Sequence, residues 1–249
     1  RDRITIEKEK AAILAKNEQL RSNLLRAISH DLRTPLTSIS GNASNLLSNA
    51  DYFDKETKKQ LYLDIYDDSM WLINLVENIL SISRIEDGRM NLSISTELVS
   101  EVFEEALRHT NRHSEQHTIT VQMDDDLLLA HMDAKLVVQV LINLVDNAIK
   151  YTPAGSHIVL SAAAQGESAV IRVSDDGPGI PDEAKEKVFE MFSTGEKRIS
   201  DSRRSLGLGL ALCRTIIAAH GGTITLSDNT PHGCIFTFTL PLGEVSLHE

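Results

Sequence analysis

The stretch Ser29-His30-Asp31-Leu32-Arg33-Thr34-Pro35-Leu36 lies inside a long helical pattern, well before a group of glycine-rich turns. Apolar residues around it recur at steps of three and four: Leu25, Ile28, Leu32, Leu36, Ile39, Ala43 and Leu46. This spacing predicts a helix that buries one seam. His30 follows Ile28 by two residues, roughly 200° around a helix of 3.6 residues per turn. We therefore expect its imidazole to point away from the seam, where it can react.

The pattern around this stretch predicts a helical hairpin. One helix is expected from about residue 4 to residue 47, a break at Ser48–Asp51, and a second helix from about Lys55 to Glu86. Gly88 follows Asp87, and glycine is a common residue just after a helix end. The apolar stripes of both helices are wider than one partner helix can cover. We therefore expect a homodimer that closes a four-helix bundle.

From Asn91 onward the pattern changes to short β-like runs that alternate with helical stretches. The predicted strands are 119–123, 127–130, 158–163, 169–173, 223–226 and 234–240, and the predicted helices are 97–109, 135–150 and 208–220. This alternation predicts an α+β sandwich, in which helices cover one side of a sheet. The expected domains are a linker or coiled-coil helix over 1–22, the hairpin over 23–88, and the sandwich over 89–249.

Composition excludes several classes of protein. The chain has 249 residues and a formal net charge of −11, which argues against nucleic acid or an anionic membrane as its main partner. No apolar run is long enough to span a bilayer, so any membrane attachment is expected to come from segments upstream of Arg1. Its two cysteines, Cys213 and Cys234, are too few for a disulfide framework and are predicted to be buried thiols in a reducing cytoplasm.

Two motifs in the second half suggest a nucleotide site. Asn143 and Asn147 lie four residues apart on a predicted helix, with Lys150 on the same side. Amide oxygens suit Mg²⁺ and a lysine can neutralise phosphate, although a plain solvated helix face explains the same pattern. The run Asp175-Asp176-Gly177-Pro178-Gly179-Ile180 follows a predicted strand. Its first carboxylate could accept from an exocyclic amine such as that of adenine, and an ordinary turn is the alternative.

A third motif, Gly207-Leu208-Gly209-Leu210, opens a predicted helix. Backbone N–H groups at a helix start can bind an anion, and tight packing is the alternative explanation. The dinucleotide fingerprint fails because Leu212 stands where its third glycine would be. Neither a P-loop nor the signatures of Ser/Thr/Tyr protein kinases occur. The three motifs gain weight together, because their order and spacing agree with one known type of site.

The chain resembles the transmitter region of bacterial sensor histidine kinases, which join a dimerisation and phosphoacceptor hairpin to a Bergerat-type ATPase domain. The matching segments are Ser29–Leu36 (H box), Asn143–Thr152 (N box), Asp175–Ile180 (G1 box), Phe189 and Phe192 (F box) and Gly207–Leu210 (G2 box). The run Thr37–Gly41 is similar to that of the KdpD-type sensors, so the resemblance implies the cytoplasmic portion of a membrane sensor. One departure is Ser205, which replaces a usual glycine and is a residue type common at helix N-caps.

The resemblance implies a role for each matching residue in binding ATP and Mg²⁺. Asp175 would bind the adenine amine, Tyr151 would lie against the purine, and Asn147, helped by Asn143, would hold Mg²⁺. Phosphates would contact Lys150 and the amides of the G2 box. The charged segment 181–206 is expected to form a lid over the site, and its arginines are candidates for the γ-phosphate. The full implied nucleotide set is Asn143, Asn147, Lys150, Tyr151, Asp175, Gly177, Gly179, Ile180, Phe192, Arg198, Gly207, Leu208, Gly209 and Leu210, with Arg203 and Arg204 as further lid candidates.

The resemblance also implies the reaction. His30 would attack the γ-phosphorus, Asp31 would accept a ring proton, and Thr34 would orient a water in a phosphatase reaction. The phosphoryl group would then pass to an aspartate of a response regulator.

Two rival functions use the same fold. An ATP-driven clamp needs the nucleotide motifs but no histidine on a preceding hairpin, and an inert dimerisation module would have lost the Asn, Asp and Lys set. A separate pattern is the spacing by four of His109, His113 and His117, which could hold zinc if one helix carried all three. A fourth ligand is lacking nearby, which favours exposed histidines at a helix end.

Overall fold

A computed structural model describes residues 28–29, 32–86, 92–110, 116–190 and 207–243, with the side chains of Ala50 and of 82–86 left aside. The chain divides into two compact units, one ending at Leu80 and the other beginning at Ser81. Over these ranges we find no helix with the length and apolar character needed to cross a bilayer.

The first unit contains two helices, as the hairpin prediction requires. Residues 32–49 form helix α1, Ala50–Tyr52 form a short 3₁₀ turn, and Lys55–Glu86 form α2. Asp54 Oδ1 accepts from the Thr57 N–H at 2.7 Å, which caps α2 and lowers the pKa of that carboxyl. The predicted bounds of α2 are therefore confirmed, whereas α1 continues through Asn49 and enters the stretch predicted as a break. The rest of the first predicted helix lies outside the described residues.

One face of α2 leaves large apolar side chains exposed. Tyr66, Ile73 and Leu80 are spaced by seven and are 56%, 50% and 50% exposed. Tyr62 and Val76, at 61% and 46%, lie on the same side. On α1, Leu36 was predicted in a buried seam, yet it is 54% exposed. The prediction was wrong for Leu36 within one chain, because each helix of a pair can cover only part of its partner's surface.

The second unit is built on a five-stranded sheet of order β2-β4-β5-β7-β6. Its strands are Thr118–Met123 (β2), His157–Gln165 (β4), Ser168–Asp175 (β5), Ile224–Asp228 (β6) and Cys234–Pro241 (β7). The β2–β4 pair is parallel and the other three pairs are antiparallel. A separate antiparallel pair joins β1 (Ser95–Leu98) to β3 (Leu129–Met132). β1 was not predicted, and β3 lies two residues beyond its predicted position.

Helices line one side of this sheet. They are α3 (Val99–Arg108), α4 (Ala134–Tyr151) and α6 (Gly209–Ala219), with the short α5 (Asp182–Lys185) after β5. Buried residues alternate along the strands, as in β7, where Phe236, Phe238 and Leu240 are buried and their neighbours are not. Together with the buried faces of α3, α4 and α6 they form the core, so the predicted α+β sandwich is confirmed.

A buried histidine joins the end of α6 to the start of α4. His220 is 6% exposed, its Nδ1 lies 2.7 Å from the Ile216 carbonyl, and its Nε2 accepts from the Asp133 N–H at 3.0 Å. Asp133 is the N-cap of α4, and its side chain accepts from the Leu136 N–H. The neutral ring with its proton on Nδ1 satisfies both contacts. This link fixes the two helices that carry the Asn143–Tyr151 and Gly207–Leu210 motifs.

Candidate functional site

Helix α4 carries the amide and lysine side chains of the candidate site. Asn143, Asn147 and Lys150 are all half-buried along this one continuous helix. A Cβ built on Gly209 would lie 3.5 Å from Asn143 Oδ1, so the first residue of α6 sits directly against α4. Asn143 Nδ2 is buried beside the Cys213 thiol and has no other hydrogen-bond partner within the described ranges. An amide with unused bonding capacity beside a glycine-led helix start is suited to contact a ligand.

Tyr151 adds an aromatic ring beside Lys150 at the end of α4. Tyr151 is the last residue of the helix and is 39% exposed, so its ring is accessible to a ligand. Lys150 Nζ lies 5.1 Å from the centroid of that ring, within the range of a cation–π contact. A positive charge and an aromatic ring therefore lie together at the same end of α4.

Asp175 ends β5 and is the most enclosed carboxylate of the candidate site. It is 8% exposed, and its Oδ1 accepts from the Gly177 N–H at 2.9 Å and the Cys234 N–H at 3.3 Å. None of the described residues donates to its Oδ2. Burial raises the pKa of Asp175, outweighing the two N–H donors, and the charge of Asp176 raises it further. One oxygen is thus held by the backbone while the other remains available for a donor from outside.

The neighbouring carboxylate has a different environment. Asp176 Oδ1 accepts from the His157 backbone N–H at 2.9 Å, and its Oδ2 lies 3.2 Å from the ring Nδ1. Slight burial raises the pKa of Asp176, but the bonds from His157 and Ser156 outweigh it, so the pKa lies below its ordinary value. Asp176 is therefore bonded to the start of β4, and only Asp175 keeps an oxygen for the site.

The loop after β5 needs its glycines for two different reasons. A Cβ on Gly177 would lie 2.6 Å from Thr152 Cγ2, so this position has no room for a side chain. Gly179 has φ +76°, a backbone conformation that favours glycine. Thr152 is buried and its Oγ1 donates to the Ala148 carbonyl at 2.7 Å, which fixes the methyl against the loop. Ile180, also in the predicted set, is half-buried at the end of this loop.

The third motif forms the start of α6. Gly207 has φ +64°, Leu208 is 2% exposed at the N-cap position, and Gly209 is the first helical residue. Leu210 is half-buried in the first turn. No side chain caps the helix at Leu208, so the N–H groups of its first turn are available to an anion. Leu208 occupies the N-cap position of α6, and Ser205 lies outside the described residues.

Several predicted site residues lie outside the described residues: His30, Asp31, Phe192, Arg198, Arg203 and Arg204. Thr34 is described and is exposed on α1. His113 is also outside the described part, and His109 lies at the end of α3, 2.9 Å from Glu105 Oε1. Across the described ranges no cluster of three or more His, Cys, Asp or Glu is arranged to hold a metal ion.

The sequence prediction missed four residues that contact this loop: Thr152, Asn229, His232 and Gly233. Thr152 ends the N-box match and was not given a role of its own. The other three lie in the turn between β6 and β7, more than fifty residues after Asp175. Gly233 is the one position with a local signal, since glycine before a strand indicates a positive φ or a close approach of backbones.

Two protein families match the chain. Residues 20–88 match the His Kinase A (phospho-acceptor) domain, and residues 132–244 match the histidine kinase-, DNA gyrase B-, and HSP90-like ATPase. The sensor protein KdpD of Clostridium acetobutylicum is 41% identical over 241 residues, which is 97% of this chain and 27% of that protein. The chain therefore spans about a quarter of the length of this relative.

Solved structures give the same result. The catalytic domain of the histidine kinase ThkA, in a nucleotide-free form, is 30% identical with a TM-score of 0.53, over 60% of this chain and 95% of that one. Full-length ShkA in complex with AMPPNP is 25% identical with a TM-score of 0.63, over 90% of this chain and 46% of that one. The fold, the site and these matches thus define a Bergerat-type ATPase domain that follows a phosphoacceptor hairpin in the sequence. The chain belongs to the sensor histidine kinases and is KdpD-like in this transmitter region.

Proposed function

We propose that this chain is an ATP-dependent protein-histidine kinase that phosphorylates its own His30 and passes the phosphoryl group to an aspartate of a response regulator. The observation that carries the proposal is the arrangement around Asp175. This enclosed carboxylate keeps Oδ2 free of described donors, beside a loop too tight for any side chain at Gly177. A carboxylate oxygen of this kind can accept from the 6-amino group of adenine. The AMPPNP complex of the similar protein ShkA supports ATP as the nucleotide.

The rest of the nucleotide set follows along α4 and α6. Tyr151 would lie against the purine, and Lys150 with the first-turn amides of α6 would bind the phosphates. Gly177, Gly179, Ile180, Leu208 and Leu210 would shape the walls of the site, and Phe192 and Arg198 belong to the same proposal. The half-buried position of Lys150 strengthens its charge interaction with phosphate, because partial burial reduces screening by water.

The residues on α4 also fit a magnesium ion. Asn147 would hold it through its amide oxygen, with help from Asn143, whose Oδ1 lies on the side of α4 that faces Gly209. Neutral amide oxygens are hard ligands that suit an ion which keeps several of its waters. When bound, Mg²⁺ would neutralise charge on the phosphate oxygens.

The proposed phosphoryl transfer uses His30 as the nucleophile and Asp31 as the proton acceptor. A ring nitrogen of His30 forms a bond to the γ-phosphorus, the bond from that phosphorus to the bridging oxygen breaks, and ADP leaves with the electron pair. The proton of the other ring nitrogen passes to the Asp31 carboxylate, so the phosphorylated ring is neutral. In a separate phosphatase reaction, Thr34 would orient a water toward the phosphorylated aspartate of the regulator. The similarity to the sensor protein KdpD supports the proposal that this reaction takes place in the cytoplasm.

We further propose that the chain acts as a homodimer through α2. Tyr66, Ile73 and Leu80 form one line of a heptad repeat, and all are at least half exposed. A second line contains Tyr62 and Val76. Apolar residues at alternating steps of three and four form the seam of paired helices. The domain limits proposed with this arrangement are 23–88 for the hairpin and 89–249 for the ATPase, with 1–22 as a linker.

The dimer is tested by light scattering on a sizing column. Ile73→Glu places a charge in the seam and is expected to give monomers, whereas Gln60→Glu adds the same charge elsewhere on α2 and should leave a dimer. A monomeric wild type, or an Ile73→Glu variant that elutes as the wild type does, would contradict the proposal.

The kinase is tested by incubating the chain with γ-labelled ATP and Mg²⁺. We expect label that survives base and is lost in acid, as phosphohistidine is. His30→Gln should abolish it, and His109→Gln, which changes an exposed histidine on α3, should retain it.

Each rival predicts a different result in this assay. ATP turnover without labelled protein would indicate an ATP-driven clamp. An absence of nucleotide binding would indicate an inert dimerisation module, and label that persists in His30→Gln would assign the acceptor to another residue.

A further inference from the structure

The turn between β6 and β7, Asn229–Gly233, holds the loop that follows β5. Asn229 Nδ2 donates to the Asp175 carbonyl at 2.7 Å, and His232 Nδ1 lies 3.1 Å from the Gly177 carbonyl and donates to it. Both contacts are partly buried. Two side chains of the turn thus bond the backbone on either side of Asp176, within the loop whose first residue is the candidate adenine ligand.

The backbones of the turn and the loop also touch. Gly233 has φ +116°, and a Cβ on it would lie 2.0 Å from the Asp175 carbonyl oxygen. The next residue, Cys234, donates its N–H to Asp175 Oδ1. Asp175 is therefore held through both its main chain and its side chain by consecutive parts of one turn.

The turn is rigid enough to act as a support. The Asn229 N–H donates to the Gly233 carbonyl at 3.0 Å, and the Thr230 N–H donates to Asn229 Oδ1 at 2.9 Å. The Asn229 amide is thus used at both ends, and rotating it would break both of its bonds. Just before it, Asp228 Oδ2 accepts from Lys185 Nζ at 2.6 Å, which ties the end of β6 to α5.

We infer that Asn229 and His232 are positioning residues that set where Asp175 Oδ2 stands, and hence how well the site recognises the 6-amino group of a purine. This inference rests on the proposed function, because it takes Asp175 as the adenine ligand. A hydrogen bond to a buried carboxylate depends steeply on distance and angle, so a supporting shell that loosens the loop weakens this one contact. In the proposed site the phosphate contacts would come from α4 and the start of α6, which contain no residue of the turn.

The test compares two nucleotides that differ only at position 6 of the purine. ATP carries the amine, and purine riboside triphosphate carries hydrogen there. Their dissociation constants are measured with Mg²⁺ by calorimetry on the full 249-residue chain. Three variants are compared with the wild type: Asn229→Asp, His232→Ala and, as the control, Thr230→Ala. Asn229→Asp keeps the acceptor for Thr230 but replaces the donor to Asp175 with a carboxylate oxygen.

We expect Asn229→Asp to weaken ATP about tenfold, or about 1.4 kcal/mol, and to leave purine riboside triphosphate within about twofold. His232→Ala should act in the same direction and less strongly, about threefold, since it loses one neutral hydrogen bond. Thr230→Ala should match the wild type with both nucleotides. The ratio of the two dissociation constants is the readout, because a merely structural defect lowers both affinities together.

Equal losses for the two nucleotides, or an unchanged ratio in both variants, would overturn the inference while leaving the kinase proposal intact. A wild-type chain that binds neither nucleotide would instead contradict the proposed function. Circular dichroism checks that each variant is folded. His232 is exposed, so His232→Ala carries the same test if Asn229→Asp fails to fold.

Discussion

Replacing Gly177 with alanine tests the site at its tightest point. The added Cβ would lie 2.6 Å from Thr152 Cγ2 and 2.9 Å from Asp175 Oδ1, whereas ordinary contacts begin at 3.4 Å. The Thr152 methyl and the new Cβ must therefore separate by at least about 0.4 Å to reach the 3.0 Å below which such contacts do not occur, and by about 0.8 Å to reach ordinary contact at 3.4 Å. The φ of Gly177 is not in the left-handed region, so the cost comes from crowding and not from the backbone.

The size of the effect follows from two opposing terms. Overpacking a buried site costs about 1–3 kcal/mol. Gly→Ala gains about 0.4–1 kcal/mol by restricting the unfolded chain. We expect crowding to win, lowering the free energy of unfolding by about 1–2 kcal/mol. Because Asp175 is displaced as well, ATP affinity should fall about tenfold or more, as when one charge-assisted hydrogen bond is lost.

The assay is a double-mutant cycle measured by urea unfolding with far-ultraviolet circular dichroism. Thr152→Ser removes Cγ2 and keeps the hydroxyl that donates to Ala148. In the Thr152→Ser background Gly177→Ala should cost at least about 1 kcal/mol less, a coupling typical of residues in contact.

Gly41→Ala is the matched control. Apart from its own helix backbone and chain neighbours, no atom of the described residues lies within 4 Å of its added Cβ, so it should raise stability, by about 1 kcal/mol for an exposed helix position. Fluorescence of Trp71, the chain's one tryptophan, reports on that unit. If Gly177→Ala proves as stable as the wild type, or the cycle shows no coupling, the steric argument is refuted.

Three more predictions concern buried groups of the ATPase unit. His220→Phe should lower the free energy of unfolding by about 1–3 kcal/mol in urea, because the buried Asp133 N–H loses its acceptor. The Ile216 carbonyl loses the ring donor but keeps the backbone N–H of residue 220. An unchanged free energy of unfolding would mean that water replaces the ring. Asp175→Asn should stabilise the free protein at pH 7 and weaken ATP binding. The raised pKa of Asp175 means that its ionised form costs stability above that pKa, so the gain should shrink as pH falls toward 3.8, and a gain independent of pH would be evidence against it. Burial raises the thiol pKa to about 12 for Cys213 and about 11 for Cys234, so iodoacetamide should label neither before unfolding, as mass spectrometry would check.

The sequence predicted the elements whose signals are local. Helix α2 has the predicted bounds because Asp54 caps its start and a glycine follows its end. β1 was missed because four residues that pair with a strand more than thirty positions later have no alternation of their own. The exposure of Leu36 was also beyond the sequence, because periodicity shows that a helix has an apolar face and not how much of it one neighbour covers.

For the candidate site, the sequence was enough to group the motif residues, but it did not identify the residues that hold them in place. Spacing placed the amides and Lys150 on one helix, and family order related them to Asp175. The contact between Asn143 and Gly209, and the bonds from Asn229 and His232, join segments far apart in sequence. The bonds from Asn229 and His232 depend on sheet register, here the antiparallel pairing of β5 with β7, which no local pattern specifies. The Asn143–Gly209 contact depends on how α4 packs against α6.

That pairing has a consequence for how the protein is made. β7 lies between β5 and β6 and supplies an N–H that Asp175 accepts, yet it follows every other strand of this sheet in the sequence and leaves the ribosome after them. Until it arrives, β5 has an open edge and the proposed nucleotide site lacks the turn that holds Asp175, so a nascent or prematurely terminated chain should neither capture nucleotide nor signal. Its uncovered edge would instead mark it for chaperones or aggregation.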